Sequence, residues 1–404
     1  MIMTNLPVKQ RINAYNHGRD HEILAFKYKA IQDNEFSFYR GTCHLFYEDL
    51  PQIPLFTEAP HTWILGDCHL ENFGTYKGSN RLSYFDLNDC DEAALAPCTW
   101  ELARFLVSVV VGAETLRLSQ KQALALCDTF LDFYINTLKA GEAYWIERST
   151  STGMIRQLLM SLKKRSRIEF IKSRTFVEKG NRLLTLNDGK TLPASKEAKA
   201  RVTAFMLEFA NQQTNSEFFK VLDIGRRIAG IGSLGMERYV ILVVGNSKKV
   251  KDNYYLLDLK LCGPSALKPT ISALNKPIKQ PSWASEAERV VTTQRRLQAV
   301  SPAFLSAVNI DDKSYVLREL HPTQDRLSLN LADGKVKPLQ EVIKSMGEIV
   351  AWAQLRSSGR QGSAIADQLI QFAEQPQQWR KDLLDYATKY AKVVHQDWLS
   401  FRGK

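Results

Sequence analysis

Two short apolar runs, Thr62-Trp-Ile-Leu65 and Leu82-Ser-Tyr-Phe85, bracket Gly66-Asp-Cys-His-Leu-Glu-Asn-Phe-Gly74 and a polar turn at Lys77-Gly-Ser-Asn80. This spacing predicts a strand, a tight loop loaded with ionisable side chains, and a second strand ending on another carboxylate, Asp86. Around this centre the chain reads as helical. Leu24, Tyr28 and Ile31 mark helix in the first 50 residues, and from Pro97 a run with Trp100, Leu102, Phe105, Leu106, Val109 and Val110 predicts a buried helix. Near the end, Trp379, Leu383, Tyr386, Tyr390, Val393 and Trp398 recur every three to five residues as one apolar stripe.

Phosphoryl transfer needs a group that orients and deprotonates an acceptor hydroxyl, and oxygen ligands that hold Mg²⁺ against the phosphates. Asp67 and Asn72 have the D-x-x-x-x-N spacing that supplies both in kinases. A metal-binding Asp should then close a nearby strand, and Asp86 does so 14 residues past Asn72. Taken singly, each half is equally well read as a polar loop held by Asx turns. Together they point to phosphotransfer, with Asp67 as base, Asn72 and Asp86 as metal ligands and Asp89 as a further metal candidate. Asp91 and Glu92 read as a solvated turn. Arg40 either touches phosphate or pairs with this carboxylate cluster, and His69 and Glu71 are secondary candidates. Glu101 and Arg104, on an otherwise apolar helix, read as a buried structural pair.

A second constellation lies far downstream. Gly230-Ile231-Gly232-Ser233-Leu234-Gly235 matches G-x-G-x-x-G, but Tyr239-Val-Ile-Leu-Val-Val244 follows, so a strand is expected where a dinucleotide fold would have a helix. Glycines between two strands form the phosphate-covering loop of kinases. The next strand, Tyr254–Leu261, presents Lys260 to the phosphates. Alone, these residues are a glycine-rich turn and a surface lysine. A helix should then bring a partner for Lys260; the one opening at Ser285 offers Glu288, which also fits a capping box, and Gln294. Glu319 and Leu320, ending the strand Ser314–Leu320, are expected to offer backbone groups to adenine.

In an ordinary kinase the glycine loop and lysine precede the Asp/Asn loop; here they follow it. The sequence therefore predicts an α+β, two-lobed, protein-kinase-like (aminoglycoside phosphotransferase-like) fold, circularly permuted so that the β-rich lobe follows the catalytic loop. The expected division is a helical catalytic lobe (1–150), a basic insertion (151–215), a β-rich nucleotide lobe (216–330) and C-terminal helices completing the helical lobe (331–404). The segments Phe38–Gly41, Gly66–Gly74, Phe85–Glu92, Pro97–Arg104, Gly230–Gly235 and Arg289–Arg295 resemble the bacterial domain-of-unknown-function 2252 proteins, placed in the protein-kinase-like superfamily. The resemblance covers most of the chain and implies a fold and a nucleotide site more firmly than a reaction. Where that family has a His in Ala-x-Ala-His-Ala-Arg-Ser, this chain has Gln354.

The resulting expectation is an ATP- and Mg²⁺-dependent phosphotransferase acting on a hydroxyl acceptor, a small molecule because Gly-Asp-x-His-x-x-Asn resembles the aminoglycoside and choline kinase branch. A nucleotide-binding pseudokinase scaffold and an AMP transferase are the alternatives. No apolar run reaches the roughly 18 residues of a membrane span, and Met1–Gln10 lacks the order of a secretory signal. Six cysteines without a C-x-x-C pair fit a reduced cytoplasmic compartment. The net charge of +11 is uneven: residues 1–120 carry −5, and 155–201 alone carry +9. Within it the run Lys163–Arg167 has no interleaved aromatics, so a solvated face is expected there over an anionic substrate or nucleic acid, which the basic stretch as a whole leaves open. His44, Cys43, Cys68, His69 and Cys90 match no zinc spacing.

Overall fold

The structure is a computed structural model that describes residues 6–247, 249–320 and 326–403; the first half of the Met1–Gln10 stretch lies outside them. In the helical half, four short strands frame the loops of interest: β1 (His61–Ile64), β2 (Phe73–Lys77), β3 (Ser83–Leu87) and β4 (Ala94–Pro97). β1 pairs with β4 and β2 with β3, both antiparallel, and the two-residue β5 (Ile146–Glu147) adds to β3. The helix Cys98–Val111 runs behind them, buried on nearly every face as its composition requires. It packs against Gln120–Ala140 and Arg380–Arg402, and Val336–Ser357 lies along Gln120–Ala140. Phe105 stacks on Phe130 with ring centroids 4.0 Å apart, and the Trp100 indole N–H donates to the Phe56 carbonyl, so its burial leaves no donor unpaired.

The C-terminal helix buries Leu383, Ala387, Tyr390, Ala391, Val394 and Phe401. Val393, placed in the stripe by the sequence, is exposed: the 3.6-residue period carries the stripe from Tyr390 to Val394 instead.

In the β-rich half, β6 (Thr175–Glu178) and β7 (Asn181–Leu184) form a hairpin, followed by β8 (Thr191–Pro193), β9 (Val221–Arg227), β10 (Arg238–Val243), β11 (Tyr255–Leu261), β12 (Ser306–Ile310) and β13 (Lys313–Glu319). The last six make an antiparallel sheet in the order β12-β13-β11-β10-β9-β8. Lys179 and Gly180, both at positive φ, make the tight turn of the β6–β7 hairpin. The Asp188-Gly189 turn instead leads into β8 at the sheet edge.

One face of this sheet meets the helix Lys196–Asn211, whose Val202 and Met206 pack with Ile241, Leu257 and Leu259. On the other face, Ile171 and Leu184 cover Val240, Leu242, Leu256 and Leu320. The segment 151–215 thus supplies apolar cover to both faces, while Lys163, Lys164 and Arg165 stay exposed. The helix Glu286–Leu297 lies against β12 and β13 and joins Val290, Val291 and Leu297 to the large core of the helical half. Among the described residues no helix is long and apolar enough to cross a membrane.

Candidate functional site

A cleft of about 770 Å³ opens where the two halves meet. Asp67, His69, Asn72 and Arg40 line it from the helical half, with Asp89, Asp91 and Glu92 from the loop after β3. Gly230, Ile231, Gly232, Ser233 and Gly235 line it from the β-rich half. Residues some 160 apart in sequence therefore face one space. Leu234 is buried just behind the glycine loop, and Glu71 stands beside the cleft, paired with Arg40 at 2.6 Å.

Gly66 begins the first loop at φ +83°, and a Cβ there would sit 2.3 Å from the Glu92 carbonyl oxygen, so only glycine lets the two loops lie together. Asp67 Oδ1 accepts from Arg104 Nη2 at 2.8 Å and Nε at 3.2 Å. Arg104 is fully buried, lies 3.7 Å over the Tyr39 ring and donates to the Tyr39 carbonyl. Its partner is therefore Asp67, and the Glu101–Arg104 pair expected from the sequence does not form. The Glu101 carboxylate instead accepts from the Leu65 N–H at 3.0 Å, and burial pushes it up to about 8.

Asn72 Nδ2 donates to the Asp67 carbonyl at 2.6 Å and leaves Oδ1 without a hydrogen bond among the described residues. His69 Nδ1 accepts from the Glu71 N–H at 3.1 Å. Burial, with Arg40 and Arg104 nearby, pushes this imidazole well below its usual value. The ring is neutral, and its hydrogen bonding assigns the proton to Nε2, 3.8 Å from Asp67 Oδ2.

The Lys260 ammonium contacts the Asp91 carboxylate and lies 3.6 Å from Asp89 Oδ2. It sits behind these two groups and reaches the cleft through them. Burial opposes ionisation of Asp89, but Lys260, Arg318 and Arg238 overcome it and hold Asp89 at about 2. Burial and the Asp89 charge push Asp91 the other way. Arg289 fixes the loop from the helix Glu286–Leu297, donating to the carbonyls of Ala93 (2.7 Å) and Asp91 (2.8 Å). Glu92 Oε2 accepts from the Ala266 N–H, and burial pushes Glu92 up to about 7.

The glycine loop is gripped from outside by the N-terminal helices. Arg19 and Lys27 each donate to the Gly232 carbonyl at 2.8 Å, and the Asp20 N–H donates to the Gly235 carbonyl at 2.9 Å. Lys27 is completely buried, its other acceptor being Asn16 Oδ1. With these carbonyls engaged, the amides of Ile231, Gly232, Leu234 and Gly235 donate to nothing among the described residues. Such a row of free amides can take an anion.

Five sequence candidates fall elsewhere. Asp86 is buried inside β3, where it accepts from the N–H groups of Leu87 (2.8 Å) and Ala299 (3.2 Å) and meets Arg356 at 3.4 Å. It does not line the cleft. Glu288 caps its own helix, accepting from the Ala284 N–H, and Gln294 bonds Gln298 in the interior, so neither reaches Lys260. Glu319 pairs with Arg167 at 3.4 Å, and the Leu320 N–H belongs to the Leu256 carbonyl. Both line a different cavity, of about 520 Å³, with Tyr76 and Tyr255. Gln354 is buried against the Tyr134 hydroxyl.

Sequence reasoning missed the clamp residues Arg19 and Lys27, the role of Arg104 and the pairing of Asp91 with Lys260. Only the presence of a charged Arg104 in an apolar helix signalled a specific partner. No curated protein and no solved structure matches the chain. The profile of one family, described as uncharacterised proteins conserved in bacteria (domain of unknown function 2252), matches residues 19–404, and the chain belongs to that family.

Proposed function

We propose that the protein is an ATP- and Mg²⁺-dependent phosphotransferase with a small hydroxyl-bearing acceptor, built on a circularly permuted kinase-like fold. The observation that carries this reading is that Asp89 and Asp91, the partners of Lys260, line one cleft together with the Asp67/Asn72 loop and the glycine loop. Supporting it, the succession glycine loop, lysine strand, helix and two further strands, with β11 between β10 and β13, is the order this reading expects of a nucleotide lobe.

In this reading the free amides of the glycine loop bind phosphate oxygens, and Lys260 neutralises their charge. Asp67, with Oδ1 held by Arg104, keeps Oδ2 for the acceptor hydroxyl. The hydroxyl oxygen bonds to the γ-phosphorus as the bond to the β-phosphate oxygen breaks, ADP leaves, and the proton passes to Asp67 Oδ2. Neutral His69 borders that oxygen without competing for the proton.

Asn72 Oδ1 and the carboxylates of Asp89 and Asp91 are hard oxygen donors of the kind Mg²⁺ takes. Among the described residues no three His, Cys, Asp or Glu side chains form a ready-made metal cage, which fits an ion completing its shell with phosphate and water. When bound, Mg²⁺ supplies neutralisation of the phosphate charge.

Incubation with ATP labelled at the γ or α position tests the reading. Transfer of the γ label to a hydroxyl compound, lost in Lys260→Ala, is the expected result. Transfer of the α label instead makes the protein a nucleotidyl transferase, binding without transfer makes it a pseudokinase, and absence of any Mg·ATP binding removes the nucleotide site.

A further inference from the structure

Away from the cleft, the helix Val336–Ser357 carries Lys344, Glu348, Trp352 and Arg356 at four-residue intervals, hence along one face. The segment entering β5 is fastened against this row. Arg356 donates to the Tyr144 carbonyl at 2.8 Å, and β5 itself pairs with β3. Between the segment and the helix lies a cavity of about 340 Å³, none of whose lining residues belongs to the cleft.

Its walls are aromatic. The Tyr144 and Trp352 rings meet edge to face, with centroids 6.2 Å apart and planes at 73°, so the two rings make a corner. Trp145 lines the cavity too, and the buried Ile146 and Ile155 close it on the protein side. Trp352 is buried, whereas Tyr144 and Trp145 remain 54% and 48% exposed. Glu348 lines the same space, half-buried, and its carboxylate has no hydrogen bond or ion pair among the described residues. Burial, with Glu341 nearby, pushes this carboxyl up from its ordinary value, and the pull of Lys344 offsets that only in part. Lys344 also lines the cavity, but its ammonium sits 4.6 Å from the centroid of the Phe133 ring, which is outside the lining.

The face of an aromatic ring carries negative potential and attracts a cation without accepting hydrogen bonds in its plane. A protonated amine keeps N–H groups that each need an acceptor, which two rings and one carboxylate supply poorly. A fully methylated ammonium has no N–H to satisfy and presents an apolar surface to the rings. We infer that this cavity binds a small molecule bearing a quaternary ammonium group, its methyl groups packed on Tyr144 and Trp352 and its charge beside Glu348. The volume is that of a pocket for one small ligand. This site stands apart from the phosphotransferase reading and does not depend on it.

Calorimetric titration of the full chain with tetramethylammonium, choline and 3,3-dimethylbutan-1-ol, the uncharged carbon counterpart of choline, tests the inference. Both cations should bind, and the alcohol should bind about tenfold or more weaker than choline. Tyr144→Phe should keep choline affinity within about threefold, while Tyr144→Leu and Glu348→Gln should each lower it about tenfold. Equal binding of choline and the alcohol makes the cavity a plain apolar slot and overturns the inference, a comparison that needs no variant to fold. Failure of both cations to bind at millimolar concentration overturns it as well. So does choline binding that neither Tyr144→Leu nor Glu348→Gln weakens, since the ion then sits elsewhere. Phosphatidylcholine vesicles or a trimethyl-lysine peptide bound about tenfold or more tighter than choline overturn the small-molecule assignment in favour of a membrane or a protein.

Discussion

Replacing Lys260 by methionine keeps the length of the side chain and removes the one ammonium between Asp89 and Asp91. The Lys260 side chain is 5% exposed, while those of Asp91 and Asp89 are 28% and 38% exposed. Removing one partner of a buried ion pair costs about 3–5 kcal/mol. Water reaches both carboxylates here, so about 2–3 kcal/mol is expected. Much of that penalty is repulsion between two carboxylates left facing each other, since Asp89 also accepts the Asp91 N–H. Asp91→Asn in the Lys260→Met background should therefore recover about 1 kcal/mol or more, a coupling of the kind seen between contacting residues. Urea unfolding of the wild type, both single variants and the double variant measures it. If the two costs add within about 0.5 kcal/mol, the pair does not fasten the acidic loop, and the central geometry of the site is misread.

Further expectations concern the two loops and their support. Gly66→Ala forces a left-handed residue and a clash with the Glu92 carbonyl. Strain of about 1–2 kcal/mol and overpacking of about 1–3 kcal/mol should lower stability by about 2–5 kcal/mol in urea unfolding. Asp86→Asn should cost stability through Arg356 yet leave the Mg²⁺ dependence of ATP binding unchanged. Asp89→Asn should raise the Mg²⁺ requirement about tenfold or more, and equal effects would return Asp86 to the site. Folded Glu101 keeps its proton up to about 8, whereas the unfolded chain loses it near the ordinary value of 4.5. Between these values the folded state holds a proton that the unfolded chain has lost, so this contribution to stability falls as pH rises. Glu101→Gln should flatten that decline, gaining on the order of 3–5 kcal/mol relative to wild type above pH 8; parallel pH curves would refute it.

The loops of the cleft were readable because glycines at forced conformations and alternating strands are local signals. Gly66, Gly230 and Gly235 all take positive φ, and strands flank each loop. Strand length sets Asp86 off the cleft lining. The apolar run stops at Phe85, but β3 continues to Leu87, which keeps Asp86 within the strand and makes Asp89 the first carboxylate beyond it. Helical spacing sets Arg104 beside Glu101, yet its partner lies 37 residues upstream, a pairing no periodicity encodes. The same holds for Lys260, whose partners lie on the loop after β3 rather than on the next helix.

The packing of Gln120–Ala140 against Val336–Ser357, and of Cys98–Val111 against Arg380–Arg402, bears on how the chain is made. A ribosome delivers the first member of each pair long before the second. The half bearing Asp67 is begun first and completed last, so its apolar surface waits uncovered while the sheet is being synthesised. Such a chain exposes sticky intermediates during translation, and losing even the final helix would strip cover from the centre of the protein rather than trim its edge.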